Sequence, residues 1–415
     1  MTGKRGNVIL IKNAKILLEN GTAISDVLIE NGKIKSIEKN IQLKEDVKVI
    51  DANGAYLLPG LIDLNVRLAN SELHKDSLNK LTKTSLHGGV TTSVIMPDFR
   101  PRLDSSTLLE HFMLKAENEE ADLHVAAPLV NVDEDRLNNI ATLLKNGATA
   151  IWAKSSINSN LLRRGIQYAK MKNAPLFCEC YDANLDDDGV INEGQVSFRL
   201  GLSGISKLSE SSAVAKVAEI ASSYNVKIVF KSLSTKRSID IVKNYKKHCK
   251  DMYSEVSIHH LCKNDESCDG FNTYAKTHPP LREESERLAI LDELASIDVL
   301  TSAHSPRSVV YKDVSFEDAA FGIGSIEEYL SICYTYLVKS DIISMGRLMQ
   351  MCSKTPAKIL GLENCGKIEI GFRADMVLFD EKESQVINNK TSIYNKEKLF
   401  GKVLAVFKNG KIIEL

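Results

Sequence analysis

The sequence predicts an α/β chain: a TIM-like parallel (β/α)8 barrel with a small composite β-sandwich built from both chain ends. Three observations carry this. Short β-branched runs separated by turns fill the first 57 residues and recur at the end of the chain. Between them, strand-like apolar runs alternate with helical stretches. About eight such runs can be counted, the number that a closed parallel barrel requires.

Size and composition agree. The chain has 415 residues, 43% hydrophobic and 26% charged, ordinary for a soluble enzyme-sized protein. A net charge of −1 gives no electrostatic case for nucleic acid. The start, Met1-Thr2-Gly3-Lys4-Arg5-Gly6, carries no apolar signal run, and no segment is long enough to span a bilayer, so a cytoplasmic protein is expected. The 8 cysteines are scattered. The closest pairs, Cys178/Cys180 and Cys262/Cys268, lack zinc-ribbon spacing and read as reduced core thiols.

Taken in order, Val8–Ile11 and Lys15–Leu18 read as strands. Val27–Ile29 runs into Asn31-Gly32, a hairpin signal, and Lys33–Ile37 returns. Residues 58–362 should form the barrel. Its strands are expected at 61–66, 92–96, 124–127, 150–152, 176–178, 226–230, 255–258 and 299–301. Ala213–Ile220 is one of the intervening helices. The segment 183–212 is long for a barrel loop and should lie over the mouth. At the C-terminal end, Asp375–Phe379 is a strand, and Val403–Phe407 pairs across Asn409-Gly410 with Lys411–Ile413. Residues 1–57 plus 363–415 therefore make the composite domain.

The stretch Pro59-Gly60-Leu61-Ile62-Asp63-Leu64-Asn65-Val66-Arg67-Leu68 reads as a buried opening strand. It is joined in order by His87-Gly88-Gly89-Val90-Thr91-Thr92 with Met96-Pro97, by Asn192-Glu193-Gly194, and by Arg199-Leu200-Gly201-Leu202. Leu233-Ser234-Thr235, Ser257-Ile258-His259-His260, Pro279-Pro280-Leu281-Arg282 and His304-Ser305-Pro306 follow. Phe321-Gly322-Ile323, Thr355-Pro356-Ala357 and Gly371-Phe372-Arg373-Ala374-Asp375 close the series. Over nearly its whole length the chain resembles the dihydroorotases of the amidohydrolase superfamily. That resemblance implies an amidohydrolase-type barrel and hydrolysis of a cyclic amide at a zinc site, where the metal sharpens a bound water.

The same resemblance marks positions where the implied chemistry is missing. The opening strand of these enzymes ends His-x-His, two imidazoles on one side of a strand; here the positions are Asn65 and Arg67. The bridging ligand falls at Lys154. Glu179 and Ser232 stand where two further histidines are expected, and Ala303 where the catalytic Asp belongs. Substrate contacts drift to Asp98 and His278, beside His304. A cationic Arg67 about 4 Å from a dication would cost roughly 8 kcal/mol at an effective dielectric of about 20. The expectation is therefore no metal, no cofactor and no catalytic residue.

Several residues leave two readings open. Arg67 and Glu179 either form an ion pair at the mouth or face solvent separately. Lys154 is either a carbamylated ligand or an ordinary lysine. His259-His260 is expected to be structural, His304 a packing or hydrogen-bonding residue, and His278 a ligand contact or a loop residue. Asp186-Asp187-Asp188 reads as a solvated loop. Dead dihydroorotase-like chains of this family serve as structural partners of the aspartate transcarbamoylase catalytic chain. The leading expectation is that role, in de novo pyrimidine biosynthesis, with homo-oligomers and no nucleic-acid or membrane partner. The alternatives are a cyclic amidohydrolase with a rebuilt site using Glu179, Lys154 or His304, and a small-molecule binding module that keeps the pocket.

Overall fold

A computed structural model describes residues 8–19, 21–42, 47–131, 136–413 and 415. Eight parallel strands run in chain order around one sheet: Leu61–Val66, Val90–Ile95, Asp122–Pro128, Ala150–Lys154, Leu176–Glu179, Ile228–Lys231, Met252–Ser257 and Val299–Thr301. Each sequence-expected run falls on one of them. The first, second and seventh strands are buried at every residue, as parallel strands covered on both faces must be. Helices fill the connections, among them Ser77–His87, Ser159–Lys172 and Lys207–Tyr224. Their buried stripes, such as Ala213, Val214, Val217, Ala218 and Ala221, close over the strands.

First and last barrel strands are joined through a side chain. Asp63, fully buried, accepts the backbone N–H of Ser302 at 3.0 Å and that of Asn65 at 2.9 Å. Burial pushes its carboxyl up to about 6, and the hydrogen bonds from Ser302 and Asn65 pull against that.

The two chain ends build a second, mixed sheet. Its strands, in spatial order, are Lys411–Ile413, Lys398–Lys408, Met376–Val386, Tyr56–Pro59, Val8–Leu18, Gly21–Glu30 and Lys33–Glu38, with Lys48–Asp51 beside Val8–Leu18. The expected composite of both termini is thus one hydrogen-bonded sheet over a shared core that includes Ile11, Val27, Leu57, Met376 and Phe407. Val8–Ile11 and Lys15–Leu18 are one strand, broken by a bulge at Asn13, whose N–H goes to Asp26. The two Asn-Gly turns touch: a Cβ on Gly32 would lie 2.9 Å from Asn409 O. Lys408 ties this sheet to the barrel, reaching Asp375 at 2.7 Å and Asp122 at 2.8 Å. Among the described residues, no helix is long and apolar enough to cross a membrane.

Candidate functional site

The mouth lies at the C-terminal ends of the barrel strands, where this architecture places its chemistry. A cavity of about 400 Å³ opens there, lined by Arg67, Asp98, Lys154, Glu179, Ser232, His278, Ala303 and Arg307, among others. The segment 183–212 reaches it through Asp186, Gly189 and Ile205. The sequence-marked positions therefore do converge, with His304 on the adjoining cavity of about 520 Å³.

Arg67 is the centre of the arrangement. It follows the last residue of the first strand, and its guanidinium is mostly buried. Nε donates to Asp98 Oδ2 at 2.8 Å and Nη1 donates to Asn65 Oδ1 at 3.2 Å. Nη2 pairs with Glu179 Oε1, which also accepts the Trp152 indole N–H at 3.0 Å. Arg67 and Glu179 thus meet rather than facing solvent apart. Burial works against the Arg67 charge, but Asp98 and Glu179 more than offset it and hold its pKa above the ordinary value. Burial likewise works against the Glu179 charge, yet Arg67 and then Lys154 hold that carboxyl below its usual range.

Beneath this lies a second ion pair that sequence reasoning missed. Lys231 Nζ and Glu255 Oε2 are 3.0 Å apart with both side chains wholly buried. Lys231 also donates to Leu64 O at 2.6 Å. Glu255 accepts from Asn65 Nδ2 at 3.2 Å, from Ser232 N at 3.1 Å and from the Thr301 hydroxyl. Asn65 Nδ2 also donates to Ser232 Oγ at 2.9 Å. The available signal was a charge inside an apolar strand at Asp63, Lys231 and Glu255, where an ion must find a partner. Register adds a row of alternating sign across three strand ends: Lys154 opposite Glu179, and Glu179 opposite Lys231.

The other marked residues have definite surroundings. The Lys154 ammonium sits 5.5 Å from the centroid of the Trp152 ring. His278 Nε2 lies 3.1 Å from Asp186 Oδ2, so Asp186 is buried and partnered, not part of a solvated loop. His304 Nδ1 accepts the N–H groups of Ser325 and Ile326 at 3.1 and 3.2 Å, and burial pushes its pKa down to about 3. His259 and His260 open the helix Ile258–Cys262 instead of ending a strand. His259 bonds Tyr394 and Ser325, and His260 bonds Ser257 and the Pro280 carbonyl. Cys178 and Cys180 are buried free thiols. Ser232 and Ala303 both hold left-handed backbone, at φ 51° and 45°, which non-glycine residues adopt at a cost.

A zinc site does not fit these residues. Asn65 spends its amide on Ser232 and Glu255, Arg67 is itself the cation, Ser232 offers a hydroxyl already engaged, and Ala303 offers a methyl. Glu179 is committed to Arg67 and Trp152. Among the described residues, no three His, Cys, Asp or Glu side chains gather where an ion could be held. Neither Glu179 nor His304 is a free proton carrier near neutral pH.

Residues 56–413 match the model of the amidohydrolase family, and the chain belongs to that family. Among its relatives are dihydroorotases. One, from Caldanaerobacter subterraneus subsp. tengcongensis, is 30% identical over 420 residues, covering 96% of this chain and 97% of its own. Another, from Elusimicrobium minutum, is 32% identical over 400 residues, covering 94% and 90%. The fold is also that of L-hydantoinase (dihydropyrimidinase) from Arthrobacter aurescens, with a TM-score of 0.86 at 17% identity over 98% of this chain and 96% of that one. D-hydantoinase (dihydropyrimidinase) from Thermus sp. superposes with a TM-score of 0.83 at 22% identity, covering 98% and 95%.

Proposed function

We propose that this chain is a catalytically silent dihydroorotase-like protein that serves as a structural or regulatory partner of the aspartate transcarbamoylase catalytic chain. The observation that carries the silent site is Arg67, a permanent cation seated between Asp98 and Glu179. The described residues there offer no ligand set to hold a metal that would lower the pKa of a water, and the two carboxylates that could take its proton are both ion-paired with that cation. The kinship with dihydroorotases, whose reaction follows transcarbamoylation in pyrimidine synthesis, supports the partner reading, in which a barrel without a working site keeps a task for its frame.

Two measurements test it. Metal content of the purified protein, with dihydroorotate hydrolysis, should give substoichiometric zinc and background rates. One tightly held equivalent with turnover would end the silent-site reading. Mixed with the transcarbamoylase chain at micromolar concentration, the protein should elute earlier in size exclusion. Two unshifted peaks would end the partner reading.

A further inference from the structure

Beside the mouth lies a larger cavity of about 660 Å³ that the dihydroorotase-like site does not use. Its wall is apolar and aromatic, with Phe99, Leu129, Val130, Trp152, Ile157 and Tyr311. It shares Asp98 and Lys154 with the mouth. The Trp152 indole N–H is spent on Glu179, so the ring offers a stacking surface and not a donor.

The charges around the cavity are unequal in what they have left to give. Asp98 gives Oδ2 to Arg67 but keeps a buried Oδ1 without a hydrogen-bond partner, and Glu72 lies 2.7 Å from His74. Asp104 is the one lining carboxylate without a side-chain partner among the described residues. Against it stand Lys154 and Arg100, neither with a carboxylate of the described residues within ion-pair distance, although Lys154 also acts at longer range on Glu179. Arg307, on the adjoining mouth, uses Nε on Phe321 O and has no carboxylate of the described residues within ion-pair distance. The cations around the cavity left without an ion-paired acid among the described residues are thus Lys154, Arg100 and Arg307, and Lys154 sits over the Trp152 ring.

We infer that this cavity binds a planar aromatic ligand bearing an anionic group. The ring stacks in the cleft of Trp152, Phe99 and Tyr311, and the anion is held by Lys154 with Arg100 at the rim. The volume suits a ligand of nucleotide size. The site goes beyond the scaffold reading and stands whether or not a transcarbamoylase partner exists. A ligand there is one hydrogen bond from the mouth, because Glu179 Oε1 joins Trp152 to Arg67.

The chain has a single tryptophan, which lines this cavity and is hydrogen-bonded to Glu179 of the mouth. Its emission therefore reports ligands at either, and Arg100, which lines the cavity and not the mouth, assigns the signal. Titrating the full-length protein with adenosine 5′-monophosphate should change Trp152 emission saturably. Adenosine and inorganic phosphate should each act at least about tenfold more weakly, since a charge-assisted hydrogen bond contributes roughly that factor. Lys154→Gln should weaken the monophosphate about tenfold at an unchanged melting temperature, and Arg100→Gln, on an exposed rim, should weaken it less. No saturable change with the monophosphate would overturn the inference. So would adenosine or phosphate alone matching it, or both variants matching the parent.

Discussion

Arg67 Nε lies 2.8 Å from Asp98 Oδ2, and the same guanidinium grips Glu179 on the far side of the mouth. One side chain thus links the first strand, the loop after the second and the end of the fifth. An internal cation therefore joins three elements at the strand ends through two carboxylates.

Removing that cation leaves two carboxylates desolvated and facing each other. Arg67→Met should cost about 3–5 kcal/mol of unfolding free energy, the usual range for breaking a buried pair, read by urea denaturation. Adding Asp98→Asn and Glu179→Gln to the same chain should recover part of the loss. A cost under about 1 kcal/mol for Arg67→Met would mean that the pairing is loose.

The deeper pair should behave similarly. Lys231→Met strands Glu255 with no counter-ion and should also cost about 3–5 kcal/mol. Lys231→Met with Glu255→Gln should be milder than Lys231→Met alone, because an amide needs no counter-charge. Equal melting temperatures for the single and double variants would contradict this.

Acid stability has a definite sign. Burial holds His259, His260 and His304 neutral, with pKa values down to about 3, about 4 and about 3. Their stabilisation is complete above the unfolded value of about 6.5 and is lost as pH falls. Burial raises Asp63 to about 6 and Glu328 to about 7, so these two bind protons in the native state first and gain stability as pH falls. Among the groups with the largest shifts, three against two leaves about one extra proton on the unfolded chain between pH 6 and 5, and His124, lowered by burial, and Asp265, raised by burial, act in opposite directions. Unfolding free energy should drop by on the order of 1 kcal/mol over that unit. Glu328→Gln should roughly double the slope. Stability rising on acidification across this range would refute the assignment.

Ala303 keeps a left-handed backbone at φ 45° with no catalytic side chain to aim. Ala303→Gly relieves that strain and should stabilise the chain by about 0.5–1 kcal/mol. A loss of more than about 1 kcal/mol in denaturant melts would show that the methyl packs usefully.

The barrel was legible because its strands are apolar runs of the right length, and the two Asn-Gly hairpins because turn chemistry is local. The ends of the elements were less so. Ile258 looks like strand, yet Ser257 bonds His260 three residues on and the chain turns into helix. At the mouth, the gathering of Arg67, Lys154, Glu179, Ser232 and Ala303 could be read from type and order, and Arg67 pointed to Glu179. Asp98 as its second partner could not be read, since nothing local ties residue 67 to residue 98. Lys231, Glu255 and Asp63 stayed hidden for the same reason: each is settled by a partner more than 20 residues away. Asp186 looked solvated within an acidic run, but His278 covers it from another loop.

The pairing of Leu58 with Val377 has an outcome for synthesis. A nascent chain that has left the ribosome only as far as the barrel holds Tyr56–Pro59 as an open edge, with its neighbour still untranslated. Shortening the gene from its 3′ end past that neighbour would therefore leave a sticky, half-finished surface on an otherwise complete barrel. Fusion partners and affinity handles placed at either terminus have to leave that late zippering free to occur.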